Sequence, residues 1–383
     1  MVRGKKKLNI GVLTHNFPIY PDERKDSGAF VLDFSNELAG HESVFVLCPD
    51  ILGEKYEYKK VSVEWFGWLG SGKKFGSWSF YSPMSVFRFF SLMYFGVVST
   101  LRFNERNSID FNLAMWALPS GIFAWVAKLR YGTSYGVWCL GSDINLYAKV
   151  PILRFLIKKT LRNADWVWAN SRVLCEKVEQ LAGVKCEFLS TQVSLKAAAG
   201  KVSVDKETVN FLFVGRLEKV KGPDILIGAL SELVKTCQNW KVYIGGDGSM
   251  KSELVEMVDR LDLSTKVKFL GRLDEAGVIG YMKACDYLII PSRSESLPVV
   301  VMEAANCNLP VISARVGDLG EIVVRYNIGY TFDAGDTKAL AKIMVEVMKS
   351  GKATKRSFLE GMRRYSLDFK QEKSVGKFLD TIR

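Results

Sequence analysis

The amino-acid sequence predicts an α/β protein built from two doubly wound domains of similar size, facing each other across a cleft. Short apolar runs alternate with helix-period segments from end to end, which is typical of parallel sheets covered by helices. A chain of 383 residues also exceeds what one hydrophobic core usually organises. Ligands of such sheets bind at the carboxyl ends of the strands, so the loops that follow the strands are the candidate site.

Five apolar runs predict strands in the first half: LNIGVL (8–13), SVFVLC (43–48), IDFNLAM (109–115), SYGVWCL (134–140) and ADWVWA (164–169). The segments GAFVLDFSNELAG and PSGIFAWVAKLRYG predict helices, the first ending at Gly40 and the second beginning at Pro119 and ending at Gly132. The second half predicts strands at VNFLFVG (209–215), WKVYIGG (240–246), KVKFLG (266–271), DYLIIPS (286–292) and LPVISA (309–314). Its helix PDILIGALSELVKTC places Leu226, Leu230, Leu233 and Val234 on one face.

The division between the domains is predicted at a small, polar segment without periodicity, residues 194–207. We therefore expect a first domain at 1–195 and a second at 205–365. Residues 366–383 are expected to form a C-terminal helix that packs back on the first domain.

Composition limits the classes of partner and site. The net charge of +12 is spread along the chain, and no zinc finger, basic zipper or RNA-binding signature accompanies it. A diffuse basic surface suits acidic small molecules or an anionic membrane at least as well as a nucleic acid. With only His15 and His41, a histidine-based metal centre is not expected. Seven scattered cysteines indicate a reducing compartment, hence the cytoplasm.

An aromatic segment at residues 65–103 fits this scheme less well. It contains Trp65, Phe66, Trp68, Trp78, Phe80 and Tyr81, with Lys73, Lys74, Arg88 and Arg102 nearby. Its uncharged run from Phe89 to Leu101 is 13 residues, shorter than the roughly 20 that span a bilayer. A buried helix and an interfacial membrane surface both remain open. The basic amphipathic stretch PILRFLIKKTLR at 151–162 leaves the same two alternatives, as a membrane surface or a half-buried helix.

The loop after the first strand of the second domain predicts an anion site. Gly215 and Arg216 follow the strand, and Lys221 and Gly222 precede the helix that begins at Pro223. A glycine turn, two cations and a helix amino terminus together favour phosphate binding. Arg216 can bind phosphate oxygens in a bidentate manner, and Lys221 supplies a point charge.

Three more loops lie at corresponding strand ends: GGDGS at 245–249, GRLDE at 271–275 with Arg272, and SRSESLP at 292–298. Glu295 lies in the last loop, and Glu303 lies inside the helix that starts near Pro298. The backbone amides of Val299 and Val300 belong to the first helical turn and would point toward an anion, while Glu303 could accept hydrogen bonds from hydroxyl groups. A solvated Glu295 and a Glu303 that pairs on the helix flank are the structural alternative.

The motifs FVGRLEKVKG, GGDGS, KFLGRL and ESLPVVVMEAANCNLPVISARVGDLGEIV, in this order and spacing, closely resemble the nucleotide-sugar-binding half of glycosyltransferase family 4, of the "glycosyl transferases group 1" type. The match covers residues 209–350; FPIYPDERKDSGAF, WALPSG, LGSDIN and ADWVWANS in the first half agree more loosely. The resemblance implies the GT-B fold of two Rossmann-like domains. It also implies a retaining, metal-independent hexosyltransferase without a cofactor, since the nucleoside diphosphate-sugar is a substrate.

The resemblance also assigns roles to residues. Arg216 and Lys221 would hold the donor diphosphate, Glu303 the ribose and Glu295 the transferred sugar, so that Glu295, Arg216 and Lys221 are the expected catalytic residues. The implied donor site further includes Gly28, which would approach from the first domain, and Gly215, Arg272, Leu297, Val299 and Val300. A loop for acceptor or donor would contain His15, Gly141 and Asp143.

One departure concerns the residue before the GSD turn, where family members commonly have a histidine and this chain has Leu140. His15 could partly substitute for that histidine. The expected activity is sugar transfer to a glycan or lipid-linked acceptor, in glycan biosynthesis, in the cytoplasm or peripherally at the inner face of the cell membrane, with no nucleic-acid partner. A catalytically silent nucleotide-sugar-binding protein and a GT-B-fold nucleotide-sugar epimerase are the alternatives.

Overall fold

The computed structural model describes residues 6–18, 28–50, 56–70, 83–191 and 197–383. Residues 19–27 of the FPIYPDERKDSGAF motif, 194–196 of the proposed linker, and Lys73, Lys74, Trp78, Phe80 and Tyr81 of the aromatic segment lie outside these ranges. The chain divides into two compact units, Met1–Gln192 with Gln371–Arg383, and Val193–Lys370. Residues 197–207 contain neither helix nor strand, and Gly200 donates its backbone N–H to Ala276 O at 2.8 Å, inside the second unit.

Within its described residues, the first unit contains one parallel sheet of seven strands in the order β3-β2-β1-β4-β5-β6-β7. The strands are β1 Asn9–Leu13, β2 Ser43–Pro49, β3 Ser62–Phe66, β4 Phe111–Met115, β5 Ser134–Cys139, β6 Trp166–Ala169 and β7 Glu187–Phe188. Both faces of the central strands are covered, which explains why these strands are continuous apolar runs.

Helices cover both faces of this sheet. They are α1 Ala29–Leu38, α2 Pro83–Arg106, α3 Ser120–Tyr131, α4 Ser142–Asn145, α5 Pro151–Asn163, α6 Arg172–Ala182 and α14 Gln371–Ile382. One core cluster joins the sheet to α2, α3, α5 and α6. A second cluster joins the opposite face to α1 and α14, where Phe378 packs edge-on against Phe34. The Ser374 and Ser190 hydroxyls, 2.8 Å apart, also join α14 to the first unit.

The second unit, as described from residue 197, has a parallel sheet of six strands in the order β10-β9-β8-β11-β12-β13. Its strands are β8 Val209–Val214, β9 Trp240–Gly245, β10 Val267–Gly271, β11 Tyr287–Ile290, β12 Val311–Ala314 and β13 Gly329–Phe332. Its helices are α7 Pro223–Thr236, α8 Lys251–Arg260, α9 Glu275–Ala284, α10 Val299–Asn306, α11 Leu319–Tyr326, α12 Thr337–Ser357 and α13 Leu359–Asp368. Leu226, Leu230 and Leu233 on the predicted face of α7 are fully buried.

The ten predicted strands are confirmed, and so is the predicted end of α3, where Gly132 has a φ of 74°. Three further strands, β3, β7 and β13, were not predicted, and each is the last strand at an edge of its sheet. An edge strand pairs on one side only, so it can be short or carry polar residues. Accordingly, β7 has two residues and β3 contains Glu64.

The aromatic segment divides between core and surface. Phe66 and Trp68 are buried, and the Trp68 indole donates to the Asp50 carbonyl at 2.9 Å. The segment continues into α2, a helix of 24 residues, of which Met84–Arg106 is long and apolar enough to cross a membrane by length and composition. Only 28% of the most apolar 18-residue stretch of α2 is buried, so α2 is not a fully buried core helix.

Candidate functional site

The loop after β8 is held against the loop after β9 by contacts between their backbones. Gly215 donates its N–H to Gly245 O at 3.0 Å. Gly246 has a φ of 145°, and a Cβ atom at this position would lie 1.8 Å from Gly215 O. Only glycine permits this approach. The Arg216 side chain, next in the chain, is exposed at this edge of the sheet.

The amino terminus of α7 brings Lys221 beside the loop that follows β11. Lys221 ends a short 3₁₀ turn, and Gly222, with a φ of 66°, precedes Pro223. A Cβ atom on Gly222 would lie 2.0 Å from Pro291 O, so the two loops touch. In this arrangement Lys221 Nζ lies 2.6 Å from Glu295 Oε1. The two residues expected to hold the diphosphate and the sugar are therefore direct neighbours.

Glu295 is held in place from two directions. Its Oε1 accepts hydrogen bonds from Lys221 Nζ and, at 2.7 Å, from the hydroxyl of buried Ser292. The exposed fractions of the Lys221 and Glu295 side chains are 25% and 10%, so their attraction is screened less than that of a surface pair. The carboxylate is thus oriented before any ligand binds.

A second ion pair fastens the same two loops together. The guanidinium of Arg293 binds both carboxylate oxygens of Asp224 at 2.7 Å, and Lys219 Nζ lies 2.9 Å from Asp224 Oδ2. Burial raises the pKa of Asp224, but the hydrogen bonds and charges of Arg293 and Lys219 outweigh it and lower the pKa to about 2. The pair of Arg293 and Asp224 was not predicted. Its one indication in the sequence was an aspartate in the first turn of α7, directly after Pro223.

We expect Arg293→Gln to impair catalysis more than nucleotide binding, because Arg293 positions the loop that carries Glu295 without belonging to the expected phosphate site. Turnover should fall about tenfold, as for a displaced catalytic group. Nucleoside diphosphate affinity, measured by calorimetry, should change less than about threefold. The matched control is Arg363→Gln, since Arg363 pairs with Glu360 at 3.5 Å on α13 and both side chains are exposed. Equal losses of turnover in both variants would contradict the positioning role.

The first turn of α10 offers backbone donors beside the Lys221 and Glu295 pair. No side chain of the described residues caps this helix, and its first turn contains no acidic residue. Val301 N bonds to Pro298 O at 3.1 Å, while Val299 and Val300 present the amides ahead of it. Glu303 lies four residues after Val299, so the two share a helix face. Half-buried Glu303 is therefore on the side of the helix where the predicted ribose would bind.

The strand order decides which predicted residues come together. Because β8 and β11 are neighbours, Gly215, Arg216, Lys221, Glu295, Leu297, Val299, Val300 and Glu303 gather at adjacent strand ends. Leu297 is buried beneath this group. Arg272 is exposed after β10, two strands from β8, where Gly246 N bonds to Gly271 O at 2.8 Å. Arg272 therefore lies at the same edge of the sheet, but on the opposite side of β8 from Glu295.

The remaining predicted residues lie at the strand ends of the first unit. A Cβ atom on buried Gly28 would be 2.6 Å from Asn16 O, so this glycine allows α1 to pack on the loop after β1. Gly141, with a φ of 109°, begins the turn after β5. Leu140 before it is half-buried and packs against the apolar cluster of this unit.

Asp143 is fully buried and shapes its own loop. Its Oδ2 accepts the N–H of Ala117 at 2.9 Å, and Oδ1 accepts those of Leu140, Gly141 and Ile144 at 3.0 to 3.3 Å. Burial raises the pKa of Asp143, and the four backbone hydrogen bonds oppose this rise. Asp143 therefore acts on any ligand through the backbone that it holds.

His15 follows β1 and is buried, with its ring centroid 4.5 Å from that of Trp116. Burial lowers the pKa of His15 from 6.5 to about 3. The imidazole is therefore uncharged at neutral pH. In this state one ring nitrogen can donate a hydrogen bond and the other can accept one, but the ring supplies no positive charge.

The lowered pKa of His15 predicts a loss of stability in acid. The unfolded chain binds a proton at His15 below pH 6.5 and the folded chain does not until about pH 3, so unfolding becomes easier as pH falls through this window. The contribution is about 1.4 kcal/mol per pH unit. When the pH is lowered from 7 to 5, the unfolding free energy of the unaltered chain should therefore fall by about 2 kcal/mol more than that of His15→Asn. The control is His41→Asn, since His41 is exposed. Urea titrations measure the unfolding free energy of the unaltered chain and of both variants, and an equal pH dependence in all three would contradict the prediction.

In the described part of the chain, no three His, Cys, Asp or Glu side chains come together as metal ligands.

The second unit matches the model of a known protein family. Residues 197–360 match the family model "Glycosyl transferases group 1". An uncharacterised glycosyltransferase of Methanocaldococcus jannaschii is 26% identical over 272 residues, covering 71% of this chain and 74% of the relative. Residues 197–360 contain every predicted site residue of the second unit.

Solved structures identify the fold. Sucrose-phosphate synthase of Thermosynechococcus elongatus superposes with a TM-score of 0.80 at 17% identity, covering 98% of each chain. The Anabaena protein HepE, in complex with UDP and glucose, has a TM-score of 0.74 at 18% identity and covers 98% of this chain and 99% of its own. The two parallel-sheet, Rossmann-like domains have the GT-B fold, as the sequence predicted.

Proposed function

We propose that the protein is a glycosyltransferase that moves a sugar from a nucleoside diphosphate-sugar to a glycan or lipid-linked acceptor, with retention of configuration and without a catalytic metal. The observation that carries the proposal is the contact between Lys221 and Glu295 beside the first turn of α10. A cation for phosphate, a carboxylate for a sugar and uncapped helix amides lie at one sheet edge. The "Glycosyl transferases group 1" match of residues 197–360 supports it independently.

The reaction that we propose breaks the bond between the anomeric carbon and the diphosphate oxygen. The acceptor oxygen forms a new bond on the same face of that carbon, and its proton passes to the departing phosphate. Arg216, Lys221 and the amides of Val299 and Val300 would stabilise the charge that develops on the diphosphate. Glu303 would accept hydrogen bonds from the ribose hydroxyl groups. Glu295 would bind the transferred sugar as the sugar gains positive character in the transition state.

A catalytically silent binding protein is the second candidate. The observation that favours it is Leu140, which places an apolar side chain at the position where the sequence resemblance implies a histidine. Both candidates bind the donor, so only turnover separates them. For location we propose the cytoplasm, and the thiol state of all seven cysteines supports a reducing compartment.

A panel of UDP-, GDP- and ADP-sugars tests the proposal, beginning with UDP-glucose. A donor at one hundred times its Kd should raise the unfolding free energy by about 2.7 kcal/mol, read as an increase in Tm. The stabilising donor should then release its nucleoside diphosphate when acceptors are added, at a rate that EDTA leaves unchanged. Stabilisation without turnover would favour the binding protein, and activity that EDTA abolishes and magnesium restores would contradict metal independence.

A further inference from the structure

Large apolar side chains are exposed on two helices of the first unit. On α2, Met84, Phe87, Phe90 and Tyr94 are 55 to 66% exposed, and they lie three or four residues apart on the outer face. On α5, Ile152 and Phe155 are 69% and 58% exposed. These six residues are called the apolar patch below. Single exposed apolar residues are ordinary, but a group on two helices that both pack against α3 indicates an interaction surface.

The inner face of α2 is fixed to the unit. Leu92 and Phe103 are buried in the core beneath the helix. A Cβ atom on Gly96 would lie 2.2 Å from the ring of Phe123, so α2 and α3 pack closely. Withdrawing α2 into a bilayer would expose this core to water. The helix therefore suits a position on a membrane surface rather than across the membrane.

The two parts of the apolar patch point to the same side. Helices α2, α3 and α5 share one core cluster on one face of the sheet, so their outer faces are exposed together. Short connections lead from Arg106 to β4 and from Asn163 to β6, which puts the carboxyl ends of α2 and α5 at the amino edge of the sheet. The apolar patch occupies the opposite, amino-terminal halves of both helices.

The charges of this helix layer are almost all positive. Helices α2, α3 and α5 together contain nine lysines and arginines and one acidic residue, Glu105. Arg154 and Lys159 are exposed on α5 next to the apolar patch. Lys159 Nζ also lies 5.9 Å from the ring of Phe155. Apolar and cationic side chains are thus interleaved, as in helices that lie in a membrane interface.

We propose that this face docks on a bilayer of anionic phospholipids, with the apolar patch entering the boundary between headgroups and acyl chains and the cations of α5 binding lipid phosphates. Charge complementarity selects this occupant. A second copy of the chain on the same face would place cations against cations, which is unfavourable. An uncharged lipid surface would leave the cations of α5 without partners.

Vesicle binding by the full chain tests the proposal. Vesicles of POPC and POPG at 60:40 should sediment the protein at low salt, vesicles of POPC alone should bind it at least about tenfold more weakly, and added salt should release it. The substitution pair Phe87→Ser with Phe90→Ser should weaken binding about tenfold or more. Arg154→Glu with Lys159→Glu should do the same. Since all four side chains are exposed, the variants are expected to keep the parent Tm.

Matched controls come from exposed positions of the second unit. Val324→Ser removes an apolar side chain that is 69% exposed, and Lys342→Glu with Lys349→Glu makes the same change of charge on α12. Both should bind vesicles as the parent does. Equal losses in the controls, no preference for POPG, or retention on vesicles after extraction at alkaline pH would each overturn the proposal. So would a concentration-dependent dimer that Phe87→Ser with Phe90→Ser abolishes while vesicles bind nothing.

This inference goes beyond the proposed sugar transfer and does not depend on it. Vesicle binding is measured without a donor, and calorimetry with a nucleoside diphosphate is run on the same variants. Unchanged nucleotide binding with lost vesicle binding supports the docking surface. A chain that binds vesicles as expected but no nucleotide would refute the proposed function and leave the docking surface supported.

Discussion

Glu295→Gln is expected to lower the rate of sugar transfer by a factor of about 10² to 10³, the loss typical of one electrostatic contact made in the transition state. The affinity for the free nucleoside diphosphate should not fall, because Glu295 is proposed to contact the donor only through the transferred sugar and its loss leaves Lys221 without a competing carboxylate. The amide keeps the size of the side chain, and its oxygen can still accept from Ser292, whose hydroxyl lies 2.7 Å away. Gross displacement of the loop is therefore not the expected cause.

Glu303→Ala should behave differently from Glu295→Gln. Its carboxylate is proposed to bind the ribose in the ground state and in the transition state alike, so nucleoside diphosphate affinity should fall roughly tenfold to a hundredfold. Calorimetry and a transfer assay on the same proteins measure both quantities. Glu321→Gln, on the exposed side of the first turn of neighbouring α11, is the control. If Glu295→Gln and Glu303→Ala change the same quantity, the separate roles are refuted.

The second large effect concerns the two cations. Arg216→Ala and Lys221→Ala should each reduce nucleoside diphosphate affinity by about 1.5 to 3 kcal/mol, or roughly tenfold to a hundredfold. The affinity for the nucleoside without phosphates should stay the same in both. Unchanged diphosphate binding in the two variants would exclude the proposed anion site.

The structure adds a difference between these cations. Arg216 is exposed, so Arg216→Ala should leave the Tm of the ligand-free protein unchanged. Lys221→Ala removes the cation 2.6 Å from Glu295, whose side chain is only 10% exposed, and should lower the Tm. Adding Glu295→Gln to Lys221→Ala should restore part of the loss, because no charge then lacks its partner. A double-mutant cycle of thermal unfolding measures this coupling.

The helices that carry the proposed docking surface followed less directly from the sequence. Periodicity predicted the basic helix at 151–162, and α5 has the bounds Pro151–Asn163. Which side of α2 packs on the sheet could not be read in the same way, because apolar residues occur on all sides of it. Buried Leu92 and exposed Phe90 differ only in the helix face that the neighbouring α3 covers.

Local sequence patterns were sufficient to predict ten of the strands, the end of α3 at Gly132, and the position of Glu295 in a loop and Glu303 in a helix. These features depend on residues close together in the chain, where alternation, glycine and proline act locally. Only the tertiary structure decided that Lys221 meets Glu295 and that Arg293 binds Asp224, pairs separated by 74 and 69 residues. Both contacts exist because β11 pairs with β8 on the side opposite β9 and β10. That strand order is set by how the intervening helices pack rather than by any local pattern.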